Sequence, residues 1–213
     1  MKKGEATRAR ILDKAVLLAS RDGLDGLSIG TLAGELKLSK AGLFAHFGSK
    51  ESLQTAVLEH AAMLSQRRVI APLTAVATGG AQIQALLERC IAWIDTPSFP
   101  GGCPIISACF SLSPCSGQPW KVLVAMQRGF LARIGAMFGT FAAPDTDLHQ
   151  LAFEFRAITL GYQLSSRVLG ERGAKAAARR ALTALLARAG QKKGTNQNAG
   201  APHVTSRRAG STR

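Results

Sequence analysis

The chain has 213 residues, 46% apolar and only 6% aromatic, enough for a sizeable core in one compact domain or in a small domain joined to a larger one. Val and Ile do not gather in alternating runs, which leaves little from which to build a sheet and predicts an all-α fold. A formal charge of +14, from 27 basic and 13 acidic side chains, argues against a cationic partner and for a polyanionic one.

The elements follow in chain order. Between Glu5 and Arg21 the residues Ile11, Leu12, Ala15, Val16 and Ala19 recur at helical spacing, a first helix that Asp22-Gly23 stops. Ser28 caps a short second helix through Ile29, Leu32, Ala33 and Leu36, ending near Lys37. Ser39 caps a third, Lys40 to His46, with Leu43 and Phe47 turned inward, and a long fourth helix runs from Lys50 to about Ala71. After a loop around residue 79, helical periodicity resumes from Ala81 to Ile94, and Thr96 to Gly102 interrupts it with two prolines and two glycines. Pro104 suits the first turn of the next helix. Long apolar segments cover Pro119 to Phe141 and Asp147 to Leu169, and an Ala- and Arg-rich helix covers about Glu171 to Ala189. Residues 191–213 carry almost no bulky apolar side chains, the composition of a disordered basic tail. The expected division is therefore 1–50, 51–190 and 191–213.

Short helices joined by a tight turn and followed by a longer one form the pattern of a helix-turn-helix unit. A helix that enters a major groove about 12 Å wide must be slim on its outer face. Ala41, Gly42 and Ala45 allow that approach, while Lys40, Phe44 and His46 reach outward. Ser28, Thr31 and Ser39 bring hydroxyls and helix N-termini to phosphates. Charge alone does not locate this surface: residues 172–213 hold ten basic side chains and no acid, whereas the first 50 hold nine basic and five acidic.

From Arg10-Ile11-Leu12-Asp13 through Ser39-Lys40-Ala41-Gly42-Leu43-Phe44-Ala45-His46-Phe47-Gly48-Ser49-Lys50-Glu51-Ser52-Leu53, the sequence resembles the N-terminal domain of the TetR family of bacterial transcriptional regulators. The resemblance implies a dimer of all-helical subunits, with an N-terminal operator-binding domain and a larger C-terminal domain that holds an effector pocket and the dimer interface. By matching position, Lys40, Ala41 and Gly42 start the recognition helix, His46 makes a backbone or base contact, and Lys50 contacts a phosphate. Phe44 stands where the family usually has Tyr, Lys37 where the turn usually has Gly, and Ala19 where an aromatic is usual.

Farther along, Phe99-Pro100-Gly101-Gly102-Cys103-Pro104 is a loop-to-helix junction similar to one in a subgroup of these regulators. Cys103 at a helix N-terminus is a candidate thiolate sensor, or else a small residue packed at a tight corner. Cys103, Cys109 and Cys115 are six residues apart, not the spacing of a zinc site. No metal or cofactor is expected. Trp93, Cys103, Phe110, Met126, Phe130 and Phe155 are the candidate lining of a cavity for a small apolar or aromatic effector. The stripes Leu151, Phe155, Ile158, Tyr162 and Leu182, Leu185 are core-facing or, as the resemblance implies, the four-helix dimer interface.

The expected function is that of a homodimeric, ligand-responsive repressor bound to a palindromic DNA operator. No apolar run approaches the ~18 residues that cross a bilayer, and Met1-Lys2-Lys3-Gly4 does not begin a signal peptide, so a cytoplasmic protein with reduced thiols and no membrane partner is expected. Two rivals stand against this reading. One is a cysteine-dependent enzyme using Cys103 and His149, for which no spacing motif exists. The other is a nonspecific DNA-packaging protein relying on its basic C-terminus.

Overall fold

The computed structural model describes residues 3–191. The expected tail, apart from Gln191, lies outside the described residues. Within them the fold is helical throughout, without strands: α1 Lys3–Asp22, α2 Ile29–Leu36, α3 Lys40–Phe47, α4 Lys50–Ser65, α5 Gly80–Ile94, α6 Pro104–Ser111, α7 Gln118–Gly139, α8 Leu148–Gln163 and α9 Ala174–Ala189.

Two helices depart from their expected form. The fourth was expected to run unbroken to about Ala71, but α4 widens into a π-helical turn over Gln66–Ile70 and tightens into a 3-10 turn over Ala71–Ala75. Pro72 supplies the reason for the second change, because it cannot donate to a carbonyl one turn back. The helix expected to reach Leu169 likewise passes into a π-helical turn over Leu164–Val168 after α8. The last helix begins at Ala174 rather than at about Glu171.

Helices α1 to α3 form a small head. Ile11, Ala15, Val16 and Ala19 of α1 are buried together with Leu32, Leu43 and Phe47. The α2–α3 turn places Lys37 in the left-handed region at φ 54°, ψ 40°. Lys37 N–H donates to Gly34 at 3.2 Å and Leu38 N–H to Ala33 at 3.0 Å. These are the two bonds of a Schellman ending, which normally takes Gly at the left-handed position. The turn therefore has its usual geometry with a lysine in it, and the backbone strain that results is local.

Below the head, α4 packs on α1 and α7, and α8 lies between α7 and α9. Phe138 and Phe155 are fully buried in this body. Two polar links fasten head to body: Ser20 Oγ donates to the Gly102 carbonyl at 2.8 Å and Leu24 N–H to Ser111 Oγ at 3.2 Å. Within the body, Gln118 N–H at the start of α7 donates to Glu51 Oε1 of α4 at 2.7 Å.

Candidate nucleic-acid interface and effector cavity

Helix α3 is presented outward. Leu43 and Phe47 are its buried residues, while Lys40, Ala41, Gly42, Phe44 and Ala45 are exposed. Phe44 keeps 55% of its surface in water and lines, with Lys40, Ala41 and Ala45, a shallow groove against Ile29 and Gly30 at the start of α2. Ser39 Oγ accepts from Gly42 N–H at 3.0 Å, fixing the first turn of α3. Ser28 and Thr31 cap α2 reciprocally, each hydroxyl accepting from the other residue's N–H at 3.1 Å. All three hydroxyls therefore cap helices first.

His46 is half-buried, its ring tilted against that of Phe47 at 6.2 Å between centroids. Lys50 Nζ lies 3.3 Å from Asp25 Oδ1, and both side chains are more than half exposed. Such a pair contributes little to stability and leaves the ammonium able to exchange its partner for a phosphate. Arg8, which the sequence did not single out, sets its guanidinium 5.1 Å from the centre of the Phe47 ring. Only its distance along the chain from α3 concealed it.

The body contains a cavity of about 280 Å³ bounded by the end of α4 with its π-helical turn and by α5, α6, α7 and α8. Of the residues expected to line an effector cavity, Trp93, Cys103, Met126 and Phe130 lie on its wall. Phe110 does not, because it projects from the outer side of α6 with 78% of its surface exposed. Phe155 does not either, since its ring is wholly enclosed in the core. Sequence reading missed Gln66, Val69 and Ile70 on the π-helical turn, and Arg133 and Arg156. An arginine at 156, beside the Leu151–Phe155–Ile158 stripe, was the available signal.

Cys103 caps α6 but is buried. Burial pushes its thiol pKa up, and this outweighs the lowering by the N–H groups of Ile105 and Ile106 and by Trp93. Trp93 Nε1–H donates to Cys103 Sγ at 3.1 Å. The packed-corner reading of Cys103 is therefore the one the geometry favours, and a ready thiolate is not present. Cys90, also on the cavity wall, has its pKa pushed up to about 12 by burial.

The residues expected at a dimer interface require correction. Leu151, Phe155, Tyr162, Leu182 and Leu185 are buried in the chain's own interior, and Ile158 packs against the same core. A side chain enclosed by its own subunit has no surface left to offer a second one. The opposite face of the α8 rod is the uncovered one: Phe153, Leu164, Val168 and Leu169 are all more than half exposed.

A slim outward helix on a capped three-helix head, joined to a helical body with a cavity among α4 to α8, defines a helix-turn-helix regulator with a ligand-binding domain. Residues 11–57 match the family described as bacterial regulatory proteins, tetR family, and residues 79–182 match the tetracyclin repressor-like C-terminal domain. The chain belongs to the TetR family of transcriptional regulators. It is a DNA-binding regulator and not an enzyme.

Among solved structures, a TetR transcriptional regulator from Chloroflexus aurantiacus J-10-FL is similar with a TM-score of 0.76 at 25% identity, over 88% of this chain and 96% of that one. A regulator from Saccharomonospora viridis in complex with choline has a TM-score of 0.68 at 22% identity, over 86% of this chain and 96% of its own. AibR in complex with isovaleryl coenzyme A and operator DNA has a TM-score of 0.68 at 20% identity, over 84% and 98%. Comparison with curated proteins gives no match.

Proposed function

We propose that this regulator is a repressor that binds a palindromic operator as a homodimer in the cytoplasm and leaves it when a small molecule fills the α4–α8 cavity. Residues 1–50 act as the operator-binding unit and 51–190 as the effector-binding and dimerising unit. The observation that carries the reading is the outward, cap-fixed α3, whose outer face is Lys40, Ala41, Gly42, Phe44 and Ala45. Lys40 and His46 read base edges, and Lys50, with the α2 and α3 N-termini, holds phosphates. That AibR was solved with both an acyl thioester and operator DNA supports pairing the two ligand classes on this fold.

Two α3 helices must sit about 34–36 Å apart to enter successive major grooves. The uncovered stripe Phe153, Ala157, Leu164 of α8, with the half-buried Leu160 between them, beside the exposed Ala177, Ala181 and Ala184 of α9, is where a second subunit packs. Apolar side chains left in water there gain by mutual burial, and the alanines let helices approach closely. Effector binding acts at a distance. The cavity wall includes Cys103 and the π-helical turn of α4, and the junction next to Cys103 is bonded to α1 through Ser20 and Gly102. A ligand that favours one setting of α4 and α6 thereby favours one separation of the two heads.

Selection of bound duplexes from a random pool tests this. A two-fold symmetric consensus supports the reading, and binding without sequence preference refutes it. In the same assay Leu164→Glu should yield a folded monomer, read by light scattering, that has lost most operator affinity.

A further inference from the structure

Arg156 is the anomaly of the cavity wall. Three arginines of the body have anions or carbonyls: Arg179 holds Glu88, Arg188 holds Glu154, and Arg167 donates to the Ile94 carbonyl. Among the described residues, the Arg156 guanidinium makes no ion pair and donates no hydrogen bond. Its one contact of note is the Phe130 ring, 5.0 Å from the guanidinium carbon to the centroid. Arg156 is half-buried, and desolvation lowers its pKa.

A cation withdrawn from water without a partner is unfavourable unless something completes it. Nothing on the wall does. Among the described residues no Asp or Glu lines the cavity, and Arg133 adds a second positive charge to it. The nearby thiols of Cys90, Cys103 and Cys109 have raised pKa values and stay neutral near pH 7, so they supply no counter-charge. The remaining wall is mainly aromatic and aliphatic, with Trp93 and Phe130 as its largest surfaces, and its other polar members, Ser65, Gln66, Gln127 and Thr159, carry no charge. At about 280 Å³ the space lies near the ~300 Å³ lower end of small-molecule pockets.

We infer that the cavity takes a compact aromatic carboxylate, with its acid group forked on Arg156 and its ring against Phe130 and Trp93. The planar guanidinium matches a carboxylate with two parallel N–H···O bonds. Placing the acid on Arg156 supplies the missing counter-ion and leaves the apolar walls to the ring. The inference rests on the effector reading given above and narrows it from any small apolar molecule to an anion.

Calorimetric titration of the full-length protein tests it, with phenylacetate and 3-phenylpropionate, their two amides, and phenethylamine, all at one pH and salt concentration. The acids are expected to bind at least about tenfold tighter than the amides, and the amine not to bind. Arg156→Gln should weaken the acids by about ten- to a hundredfold, the range for losing a charge-assisted hydrogen bond, and leave the amides unchanged. Arg156→Lys should restore part of the loss. Equal binding of acids and amides overturns the inference. So does unchanged acid affinity in Arg156→Gln, or no binding of either acid at millimolar concentration. The acid–amide comparison on the parent protein decides the matter even if Arg156→Gln does not fold. Release of operator DNA is read separately by fluorescence anisotropy. Acids that bind without release uphold the cavity assignment while removing the effector role.

Discussion

Replacing Gly101 by alanine drives a methyl group into the end of α1. A Cβ built on Gly101 would lie 1.9 Å from the Ser20 carbonyl oxygen and 3.0 Å from its carbon. The obstacle is backbone, so no side chain can swing aside. The Gly101 backbone itself is unstrained, because its φ is not in the positive region, and the conflict is purely one of space. Relief requires moving either the last turn of α1 or the 99–104 junction by about an ångström. Overpacking of this kind costs about 1–3 kcal/mol. The same movement stretches the buried bond from Ser20 Oγ to the Gly102 carbonyl, and losing that bond adds about 1–3 kcal/mol.

The sum, about 2–6 kcal/mol, corresponds to a fall in melting temperature of roughly 4–24 °C for a chain of this size. Circular dichroism melts at fixed protein concentration measure it, since a dimer's melting point depends on concentration. Gly161→Ala is the control: nothing lies within 4 Å of its Cβ, and it should gain up to about 1 kcal/mol of helix stability. A Gly101→Ala protein that melts like its parent would refute the account of the junction as a tight coupling point. Operator affinity measured below the melt should also fall, because the displaced α1 carries the head.

Lys37→Gly relieves about 1–2 kcal/mol of left-handed strain and gives back about 0.4–1 kcal/mol through a freer unfolded chain. A net gain of roughly 0.5–1 kcal/mol in urea unfolding is expected. Lys50→Ala should weaken binding to all duplexes by a similar factor and reduce the salt slope by about one, whereas Lys40→Ala should change the preferred sequence in a competition assay. Alkali should destabilise the fold. The Cys90 and Tyr162 pKa values are raised from 9.0 and 10.0 to about 12, so the stability their neutral forms supply is complete below the unfolded values and is lost as pH rises from 9 toward 12. Urea midpoints across that range should fall less steeply in Cys90→Ala. Alkylation at neutral pH should modify exposed Cys115 first and buried Cys103 last, as peptide mapping would show.

What the sequence determined by itself is local. Ser28 and Ser39 each accept a backbone N–H at a helix start, because a short polar side chain before an apolar period has one favourable use. The slim face of α3 and its buried Leu43 and Phe47 follow from spacing within a single helix. The π-helical turns after α4 and α8 have no such signature, since widening a helix by one residue depends on what packs beside it.

Tertiary structure alone decided which stripe of α8 faces inward. Leu151, Phe155, Ile158 and Tyr162 lie on one side, and Phe153, Ala157 and Leu164 on the other. Both are apolar at helical spacing, so periodicity cannot rank them. Packing against α7 and α9 covers the first and leaves the second to water. The same packing carried Phe110 outward, enclosed Phe155, and set Arg156 against a cavity without an acid. Burial is a property of neighbours distant in the chain, and a one-dimensional pattern records only the residue and not what surrounds it.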